Sequence, residues 1–461
     1  MRVTLPEPIS VRSLSGLQCI EKNEGIENLS VTGISTDSND LCPGDLFLAL
    51  QGEKVDGNAY IEDALRKGAL LAVSDTRSGE RILRCTSMTA LLYEMATMRL
   101  REVAPNVVAV TGSVGKSSFL SYAATLLERK MRLHRPSGNY NTDVGLPMTI
   151  LCMPRETETL LLEMGARHPG DVGRLSILAR PHIAIITCIG HSHLETLHDQ
   201  NGVLRAKSEI LLGLQKDGAL IYNADDPLLS AWAKRICCRR IGVSIKDDTA
   251  EVSLIKDPVG IGYQARYREQ VIAEISLYDE SDAARLSAAL AIATALLLDL
   301  PHDVIRDALP LCRAPAMRRQ RIMHNGILYI MDAYNASPES SIAALHLLAE
   351  SKSSGAKVAV LGDMLELGEN ESAFHRDLGK ASAEIGLTSL YLIGKNAESI
   401  KEGAVSAGMS PLHIHVFASD EKRMLADELI TSLKPGDVLL LKASRALRLE
   451  TVLSALTDGN Y

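Results

Sequence analysis

The sequence lacks several features that mark common classes of protein. It has no block of basic residues and no interleaving of basic with aromatic residues, and its net charge is −8. Its longest apolar run, residues 286–298, is too short to span a bilayer and is interrupted by polar side chains, which is typical of a buried helix. Residues 1–14 carry prolines and charges where a signal peptide would be apolar. We therefore expect no nucleic-acid partner, no membrane anchor and a cytoplasmic location.

Paired cysteines, internal repeats and low-complexity stretches are also missing. The eight cysteines contain no C-x-x-C spacing and stand mostly in apolar runs, so they predict reduced thiols in the core of a cytoplasmic protein. What the sequence does have is length and ordinary globular composition, with 461 residues of which 46% are hydrophobic. One hydrophobic core does not normally serve so long a chain, and two or three domains are expected.

Residues 107–118 form the strongest motif. An apolar β-type run ends at Thr111, a glycine-containing loop follows, and a helix-compatible segment begins near Ser117. Such a loop lets backbone N–H groups close round phosphate oxygens, while Lys116 supplies positive charge and the Ser117 hydroxyl can hold Mg²⁺. The motif is the short form T-G-S-x-G-K-S, because the first glycine of the strict Walker pattern would fall at Val110. It predicts nucleotide binding, and a tight glycine turn with a solvated lysine is the alternative. The predicted ATP-binding residues of the loop are Thr111, Gly112, Ser113, Val114, Gly115, Lys116, Ser117 and Ser118.

The alternation of apolar strands with helix-length segments predicts the fold. Short apolar runs at 160–163, 183–187, 219–223, 327–331, 358–361, 390–393 and 438–441 are separated by helical patterns, including 85–100 and 286–298. This pattern favours parallel sheets covered by helices, with ligands at the carboxyl ends of the strands. We predict a three-domain α/β protein: a small mixed α/β N-terminal domain at 1–84, a central P-loop parallel-sheet ATPase domain at 85–313, and a C-terminal Rossmann-like domain at 314–461, after a linker at 310–315.

Four polar residues in the central segment are candidates for metal chemistry. Glu163 ends a strand and would face the phosphate loop if the two strands are neighbours, although bonding to a helix N-terminus is an equal alternative. His191 and His193 lie near a carboxylate in the sequence, yet lone histidines are more often structural, and zinc would require cysteine or a tighter spacing. Lys207, taken alone, is typical of a solvated helix lysine. The spacing of these residues in the sequence does not decide whether they bind a metal.

From end to end, these motifs resemble the Mur ligase family of ATP-dependent amide-forming enzymes. The similarity is carried by Ser35-Thr36-Asp37-Ser38 with Pro43-Gly44-Asp45-Leu46-Phe47, Thr111 to Ser118, Gly138-Asn139-Tyr140-Asn141 to Pro147, Glu163-Met164-Gly165-Ala166 with His168-Pro169-Gly170, His193-Leu194-Glu195 with Arg205-Ala206-Lys207, Asp332 to Pro338, and Gly362 to Gly368. The last two motifs are similar to the branch that adds D-alanyl-D-alanine to UDP-N-acetylmuramoyl-tripeptide. These two compounds are therefore the expected partners of a protein that we expect to be a monomer.

The resemblance implies that ATP activates the tripeptide carboxylate as an acyl phosphate, with two Mg²⁺ ions. Lys116 and an ion held by Ser117 and Glu163 would serve the β- and γ-phosphates. The second ion would be held by His193 and Lys207, the lysine being carbamylated by CO₂, which turns a cation that repels Mg²⁺ into an anion that binds it. The implied catalytic residues are Lys116, Glu163, His193 and Lys207.

Further roles follow only from the resemblance. The implied ATP-binding residues of the third domain are Arg318 or Arg319, Asp332, Tyr334 and Asn335. The implied residues for the UDP-sugar peptide are Ser35, Thr36, Asp37, Ser38, Asn139 and Asn141. Those implied for the dipeptide are Asp363, Ser444 and Arg445. The reacting groups come from different domains, so domain closure is expected.

The sequence departs from the family pattern at three places. Asn39 stands where an arginine is expected, residues 282–289 lack the H-N-x-x-N element that the family places near adenine, and Ala443 replaces a glycine. Two alternatives stay open: a ligase with another acceptor amine, and a nucleotide-binding protein that has lost ligation. The UDP-sugar-type first segment argues against the former. Retention of Lys116, Ser117, Glu163, His193 and Lys207 together argues against the latter.

Overall fold

The computed structural model describes residues 1–21, 26, 28–52, 55–260 and 262–458. Three sheets organise this part of the chain. The first has the order β1-β2-β3-β4-β5, with β1 antiparallel to β2 and the other neighbours parallel. Its strands are β1 (Arg2–Ser10), β2 (Ser30–Ser35), β3 (Asp45–Leu48), β4 (Leu71–Ser74) and β5 (Ile82–Arg84). The first helices are α1 (Val11–Ser15), α2 (Ile61–Arg66) and α3 (Met88–Val103).

Helix α3 joins the first unit to the second. It begins at the Ser87 cap, whose side chain accepts from the backbone N–H of Ala90. Its early turns bury Leu91 and Met95 in the core of the first sheet, whereas Ala96 belongs to the core of the central sheet. The helix predicted over 85–100 is therefore present, and it packs on both units. The domain limits at 84 and 313 stay a prediction.

The central sheet has nine strands in the order β14-β13-β12-β11-β10-β9-β6-β8-β7. They are β6 (Asn106–Thr111), β7 (Leu133–His134), β8 (Thr159–Glu163), β9 (Ile183–Ile186), β10 (Ala219–Asn223), β11 (Arg239–Ser244), β12 (Val252–Lys256), β13 (Tyr263–Tyr267) and β14 (Gln270–Ile275). Its helices are α4 (Lys116–Leu127), α5 (Gly145–Leu151), α6 (Asp171–Ala179), α7 (Leu194–Leu197), α8 (Gln200–Ser208), α9 (Pro227–Ala233), α10 (Asp282–Leu297) and α11 (His302–Ala308). Helices α4 and α10 cover one face, and α5, α6 and α8 cover the other.

The third sheet has the order β15-β16-β20-β17-β18-β19. Its strands are β15 (Gln320–His324), β16 (Ile327–Asp332), β17 (Lys357–Gly362), β18 (Ser389–Ile393), β19 (Ile414–Phe417) and β20 (Val438–Lys442). Its helices are α12 (Pro338–Glu350), α13 (Glu371–Glu384), α14 (Ala397–Ser406), α15 (Lys422–Ser432) and α16 (Glu450–Asp458). Parallel neighbours with helices on both faces give the predicted Rossmann-like arrangement.

The three-domain α/β class predicted from the sequence is confirmed, with two additions. Strands β13 and β14 extend the central sheet antiparallel, and β15 pairs antiparallel with β16. The second hairpin turns at Asn325 and Gly326, which both have positive φ (49° and 76°), the dipeptide best suited to a tight hairpin. That signal was present in the sequence.

One prediction about the cysteines needs correction. All eight thiols are free, but Cys42 and Cys237 are exposed and do not belong to the core. Both stand in short connections outside the helices and strands, where their side chains remain accessible, whereas Cys19, Cys85 and Cys312 are buried. In the part of the chain that is described, no helix is long and apolar enough to cross a bilayer.

Candidate active site

The phosphate loop lies between β6 and α4, as the motif predicts. Gly112 and Gly115 both have positive φ, 147° and 92°. A Cβ on Gly112 would meet the Thr187 hydroxyl at 1.9 Å, so only glycine fits there. The Lys116 ammonium donates to the Gly112 carbonyl at 2.7 Å and therefore folds back over the loop. The first backbone N–H groups of α4 point into the same space, where an anion is stabilised.

Glu163 faces the phosphate loop because β6 and β8 are neighbours, with Val110 opposite Glu163 in the register. The Ser117 hydroxyl donates to one Glu163 oxygen at 2.6 Å, and the Asn141 amide donates to the other at 2.8 Å. The Glu163 side chain is buried. A hydroxyl and a carboxylate at the mouth of the loop are the hard oxygen ligands that suit Mg²⁺ when phosphate and water complete its shell. These residues therefore fit the magnesium ion that the resemblance implies.

Two lysines lie close to this carboxylate, and Lys207 is buried. Burial, together with the positive charge of Lys116, lowers the pKa of Lys207, on α8, to about 7. Burial also lowers the pKa of Lys116, while the charge of Glu163 opposes the shift. Lys207 is only 1% exposed, so it is not the solvated helix lysine that the sequence alone would favour. Its amine is readily neutral, and a neutral amine is nucleophilic.

The segment 187–193 supports the phosphate loop from the neighbouring strand β9. The Thr187 hydroxyl donates to the Val114 carbonyl, and the Ser113 N–H donates to the Cys188 carbonyl at 3.1 Å. The Val114 N–H donates to the Cys188 sulfur at 3.4 Å. The Gly190 N–H donates to the Ser113 hydroxyl at 2.9 Å. These four hydrogen bonds hold the two adjacent loops against each other. We call residues 187–193 the support segment.

Both histidines of the support segment pair with glutamates of the C-terminal unit. His191 Nδ1 lies 2.6 Å from Glu339, and His193 Nδ1 forms a short contact with Glu366. His193 has a φ of 55°, and its pairing lowers the pKa of Glu366. Among the described residues, no three His, Cys, Asp or Glu side chains are grouped to hold a metal ion.

The predicted ATP residues of the third unit gather at the end of β16. Arg318 stacks over the Tyr334 ring at 4.3 Å, and its charge contributes to lowering the pKa of Lys116. The positive charge of Arg318 therefore acts at the phosphate loop. Arg319 points elsewhere, because its guanidinium donates to Ser281 at 2.6 Å and lies 3.5 Å from the Asp279 carboxylate.

Asp332 and Asn335 are joined through a buried lysine. Lys442 Nζ lies 3.1 Å from the Asp332 carboxylate and donates to the Asn335 carbonyl at 2.6 Å. Lys442 is 2% exposed, and burial lowers its pKa, opposed by the Asp332 charge. This triad fixes the backbone that follows β16, which presents Tyr334 towards Arg318.

The residues implied for the UDP-sugar peptide lie in two places. Thr36, Asp37 and Ser38 line a cavity of about 380 Å³ that also includes Phe47 and Tyr60. Ser35 does not line the cavity, because it is buried. Its hydroxyl donates to the Asp40 carbonyl at 2.6 Å and so stabilises the loop that follows β2. Asn139 and Asn141 lie at the phosphate site, where they bond each other at 3.3 Å.

Lys67 occupies the neighbourhood where the family pattern expects arginine. Its ammonium donates to the Asn39 side chain at 2.9 Å and pairs with Asp63 at 2.7 Å. A positive charge is thus present beside the cavity, from a different position in the sequence.

The implied dipeptide residues form part of one loop cluster. Asp363 follows β17, and its carboxylate accepts the N–H groups of Lys395 and Asn396 at 3.0 and 2.8 Å. The Ser444 N–H donates to the Asp363 carbonyl at 3.0 Å, and Arg445 pairs with Glu450 at 2.7 Å. In this arrangement the Asp363 carboxylate orders the loop after β18. The roles of all three towards a dipeptide stay predictions.

Family models match three segments in order: the "Mur ligase family, catalytic domain" at residues 30–94, the "Mur ligase middle domain" at 110–293 and the "Mur ligase, glutamate ligase domain" at 317–445. A curated relative from Bacillus subtilis is 32% identical over 443 residues, which are 95% of each chain. The chain belongs to the Mur ligase family. That relative is named UDP-N-acetylmuramoyl-tripeptide--D-alanyl-D-alanine ligase, and so is one from Escherichia coli, 29% identical over 94% of this chain and 95% of its own.

Solved structures of Mur ligases have the same architecture. A crystal structure of MurF from Acinetobacter baumannii matches with a TM-score of 0.86 and 26% identity, covering 99% of this chain and all of that one. MurF from Thermotoga maritima in complex with ADP matches with a TM-score of 0.80 and 29% identity, covering 92% of this chain and 96% of its own. The order of three units in this Mur ligase is thus that of complete family members.

Sequence reasoning missed several residues of this Mur ligase site. Thr187, Cys188 and Gly190 hold the phosphate loop, and Glu339 and Glu366 hold the histidines. For the first three, a signal existed, because the segment directly follows a buried strand and ligand-binding loops lie at such ends. Glu339 carried no local signal, and the motif Gly362 to Gly368, which contains Glu366, did not indicate a contact with His193.

Proposed function

We propose that this Mur ligase joins D-alanyl-D-alanine to UDP-N-acetylmuramoyl-tripeptide, with conversion of ATP to ADP and phosphate, in the synthesis of peptidoglycan precursor. The observation that carries the proposal is the hydrogen bond from Ser117 to the buried Glu163, close to Lys116 and Lys207, in a chain that its relatives of that name match over nearly their whole length. The support for this acceptor is the naming of the relatives, and support for nucleotide chemistry comes from the site.

The charges of the site suit the first chemical step. A carboxylate and a triphosphate repel each other, so attack on the γ-phosphorus requires concentrated positive charge. Lys116 supplies it at the loop, and Arg318 adds to it from the third unit. Mg²⁺ held by Ser117 and Glu163 would neutralise further phosphate charge. In this step a carboxylate oxygen bonds to phosphorus as the bond to ADP breaks, which gives an acyl phosphate.

The second step is attack by the dipeptide amine on the acyl carbon. The C–N bond forms, the bond to phosphate breaks, and the amine loses its proton to solvent or a nearby carboxylate. In this proposal Thr36, Asp37 and Ser38 hold the UDP end, and Asp363, Ser444 and Arg445 take the dipeptide. The two substrates therefore meet when the domains close, at about 3 Å between reacting atoms.

We also propose that Lys207 is carbamylated and serves with His193 as ligand of a second Mg²⁺. The neutral amine attacks CO₂, a C–N bond forms and one proton leaves, so a potential cation becomes an oxygen anion. The depressed pKa of Lys207 and its burial beside Lys116 support this step. Carbon-13 NMR with labelled bicarbonate tests it without turnover: a carbamate signal is expected, and it should be absent in Lys207→Arg. Its absence in the unmodified protein would contradict the proposal.

A cytoplasmic location and a monomeric state belong to the same proposal. Eight free thiols support a reducing compartment.

The experiment that tests the function is phosphate release by the purified protein with ATP, Mg²⁺ and UDP-N-acetylmuramoyl-tripeptide, with and without D-alanyl-D-alanine. We expect release that depends on the dipeptide, and a product whose mass has grown by the dipeptide less one water. Release with other amines and not with D-alanyl-D-alanine would favour a different acceptor. Nucleotide binding without turnover would favour a degenerate binder and direct attention to residues 282–289.

A further inference from the structure

Glu339 crosses from the third unit to the support segment. It stands in the first turn of α12, directly after Pro338. One carboxylate oxygen accepts the backbone N–H of His191 at 2.7 Å and also lies 2.6 Å from His191 Nδ1. The His191 ring further contacts the Phe374 ring, with centroids 5.1 Å apart. A charged side chain of one unit thus holds both backbone and side chain of another.

Gly190 makes this approach possible. A Cβ at that position would lie 2.7 Å from the carboxylate carbon of Glu339, so any larger residue would push the carboxylate away. The φ of Gly190 lies outside the range that requires glycine, so the close contact is the reason for it. Gly190 of the central unit and the Glu339 carboxylate of the third unit are therefore in close contact.

Gly190 also contacts the phosphate loop. The Gly190 N–H donates to the Ser113 hydroxyl at 2.9 Å, and the Ser192 hydroxyl donates to the same oxygen at 2.9 Å. Glu339 is therefore joined to Ser113 by hydrogen bonds at His191, Gly190 and Ser192, three consecutive residues of the support segment. Ser113 belongs to the loop that would bind the triphosphate.

We propose that Glu339 is a positioning residue that couples docking of the third unit to the geometry of the phosphate loop. This inference rests on the proposed function and deepens it. When the third unit docks, the carboxylate fixes residues 190–192, and these fix Ser113. Alignment of the triphosphate then accompanies arrival of the domain that brings the dipeptide. Binding at the first unit does not involve this path.

Four variants test the coupling: Glu339→Gln removes the charge, Glu339→Asp keeps it on a shorter arm, Glu339→Ala removes the group, and Gly190→Ala pushes it away. Glu350→Gln is the matched control, because Glu350 is an exposed glutamate at the far end of the same helix. The measured quantities are kcat, the KM values for ATP and for the UDP-tripeptide, the melting temperature, and the radius of gyration by small-angle X-ray scattering with ADP and Mg²⁺.

We expect kcat to fall about tenfold in Glu339→Gln and further in Glu339→Ala, since a charge-assisted hydrogen bond is lost. Glu339→Asp should retain kcat within about threefold of the unmodified enzyme, because a carboxylate is restored. The KM for the UDP-tripeptide should stay constant. The radius of gyration of Glu339→Ala should exceed that of Glu350→Gln. Gly190→Ala combined with Glu339→Ala should be no worse than the poorer single variant.

Two results would overturn the inference. The first is unmodified kcat in Glu339→Ala. The second is a fall in kcat with an unchanged scattering curve and a lowered melting temperature, which would make the role merely structural. If the unmodified protein does not turn over, the proposed function fails, and the scattering comparison still decides whether Glu339 holds the units together.

Discussion

The phosphate site and the junction of the central and third units differ in how they are assembled. At the phosphate site, Lys116 and Ser117 begin α4 and Glu163 ends β8, the strand that pairs with β6 directly before the loop. At the junction, His191 and Glu339 are 148 positions apart in the sequence and belong to different sheets. The first arrangement persists whatever the domains do, whereas the second exists only when they are docked. The phosphate site is thus formed within one unit, whereas the junction requires contact between two units.

Burial separates the two regions as well. Glu163 and Lys207 are 4% and 1% exposed as whole residues, while the side chains of Glu339 and Glu366 are 36% and 41% exposed. Charges interact more strongly away from water, and exposed pairs are screened. A lost charge at the phosphate site should therefore cost more activity than a lost charge at the junction.

The largest expected effect is at Lys116. Lys116→Met keeps the length of the side chain and removes its charge, so kcat/KM should fall by about 1,000-fold, since one preorganised charge in a buried site has this order of effect. Phosphate release measures it. Lys130→Met, at an exposed lysine just beyond α4, is the control and should be unchanged. A loss below about tenfold would contradict the expected difference, because a charge at the phosphate site would then contribute no more to activity than a charge at the junction.

The same contrast decides what the sequence could predict. The phosphate loop was predicted correctly as strand, glycine loop and helix, because all three are encoded in consecutive residues. Glu163 was placed opposite the loop by a general rule, that carboxyl ends of neighbouring parallel strands meet. Only the pairing of those two strands had to be assumed.

Residues that meet across the fold carried no such signal. Glu339 and Glu366 were not predicted, because their partners depend on how two sheets dock. Lys67 was missed beside Asn39 for the same reason, since a charge supplied from another helix leaves no motif. The burial of Lys207 could be inferred only by resemblance, because its own helix looks amphipathic and polar.

Lys442 allows the effect of burial to be measured without a contact between units, because Lys442 and its partner Asp332 are both buried and lie within one unit. Lys442→Met leaves the Asp332 carboxylate, 13% exposed, without its cation. Breaking a buried pair on one side costs about 3 kcal/mol of unfolding free energy. Urea denaturation followed by circular dichroism measures it, with the exposed Lys434→Met as control. A cost below about 1 kcal/mol would show that burial alone does not set the size of these effects.

Glu366→Gln tests the junction at the other histidine. The amide can still contact His193 but carries no charge, so the ring is oriented less firmly, and kcat should fall about tenfold. The free energy of unfolding should change little, because the pair is partly exposed. Phosphate release at saturating substrates measures the effect, and Glu369→Gln, an exposed neighbour, serves as control. A loss as large as that of Lys116→Met would erase the difference between the two regions.

The smallest expected effect concerns the stack of Arg318 on Tyr334. This stack is related to both regions, because Arg318 belongs to the third unit while its charge acts on Lys116 at the phosphate site. A stacked guanidinium at a partly exposed ring gains about 0.5–1 kcal/mol. Tyr334→Leu should therefore raise the KM for ATP by about threefold. Tyr334→Phe keeps the ring and should match the unmodified enzyme. If both variants raise KM equally, the tyrosine hydroxyl and not the stack holds the nucleotide, and the third unit then takes part in ATP binding by a direct contact instead of through the charge of Arg318.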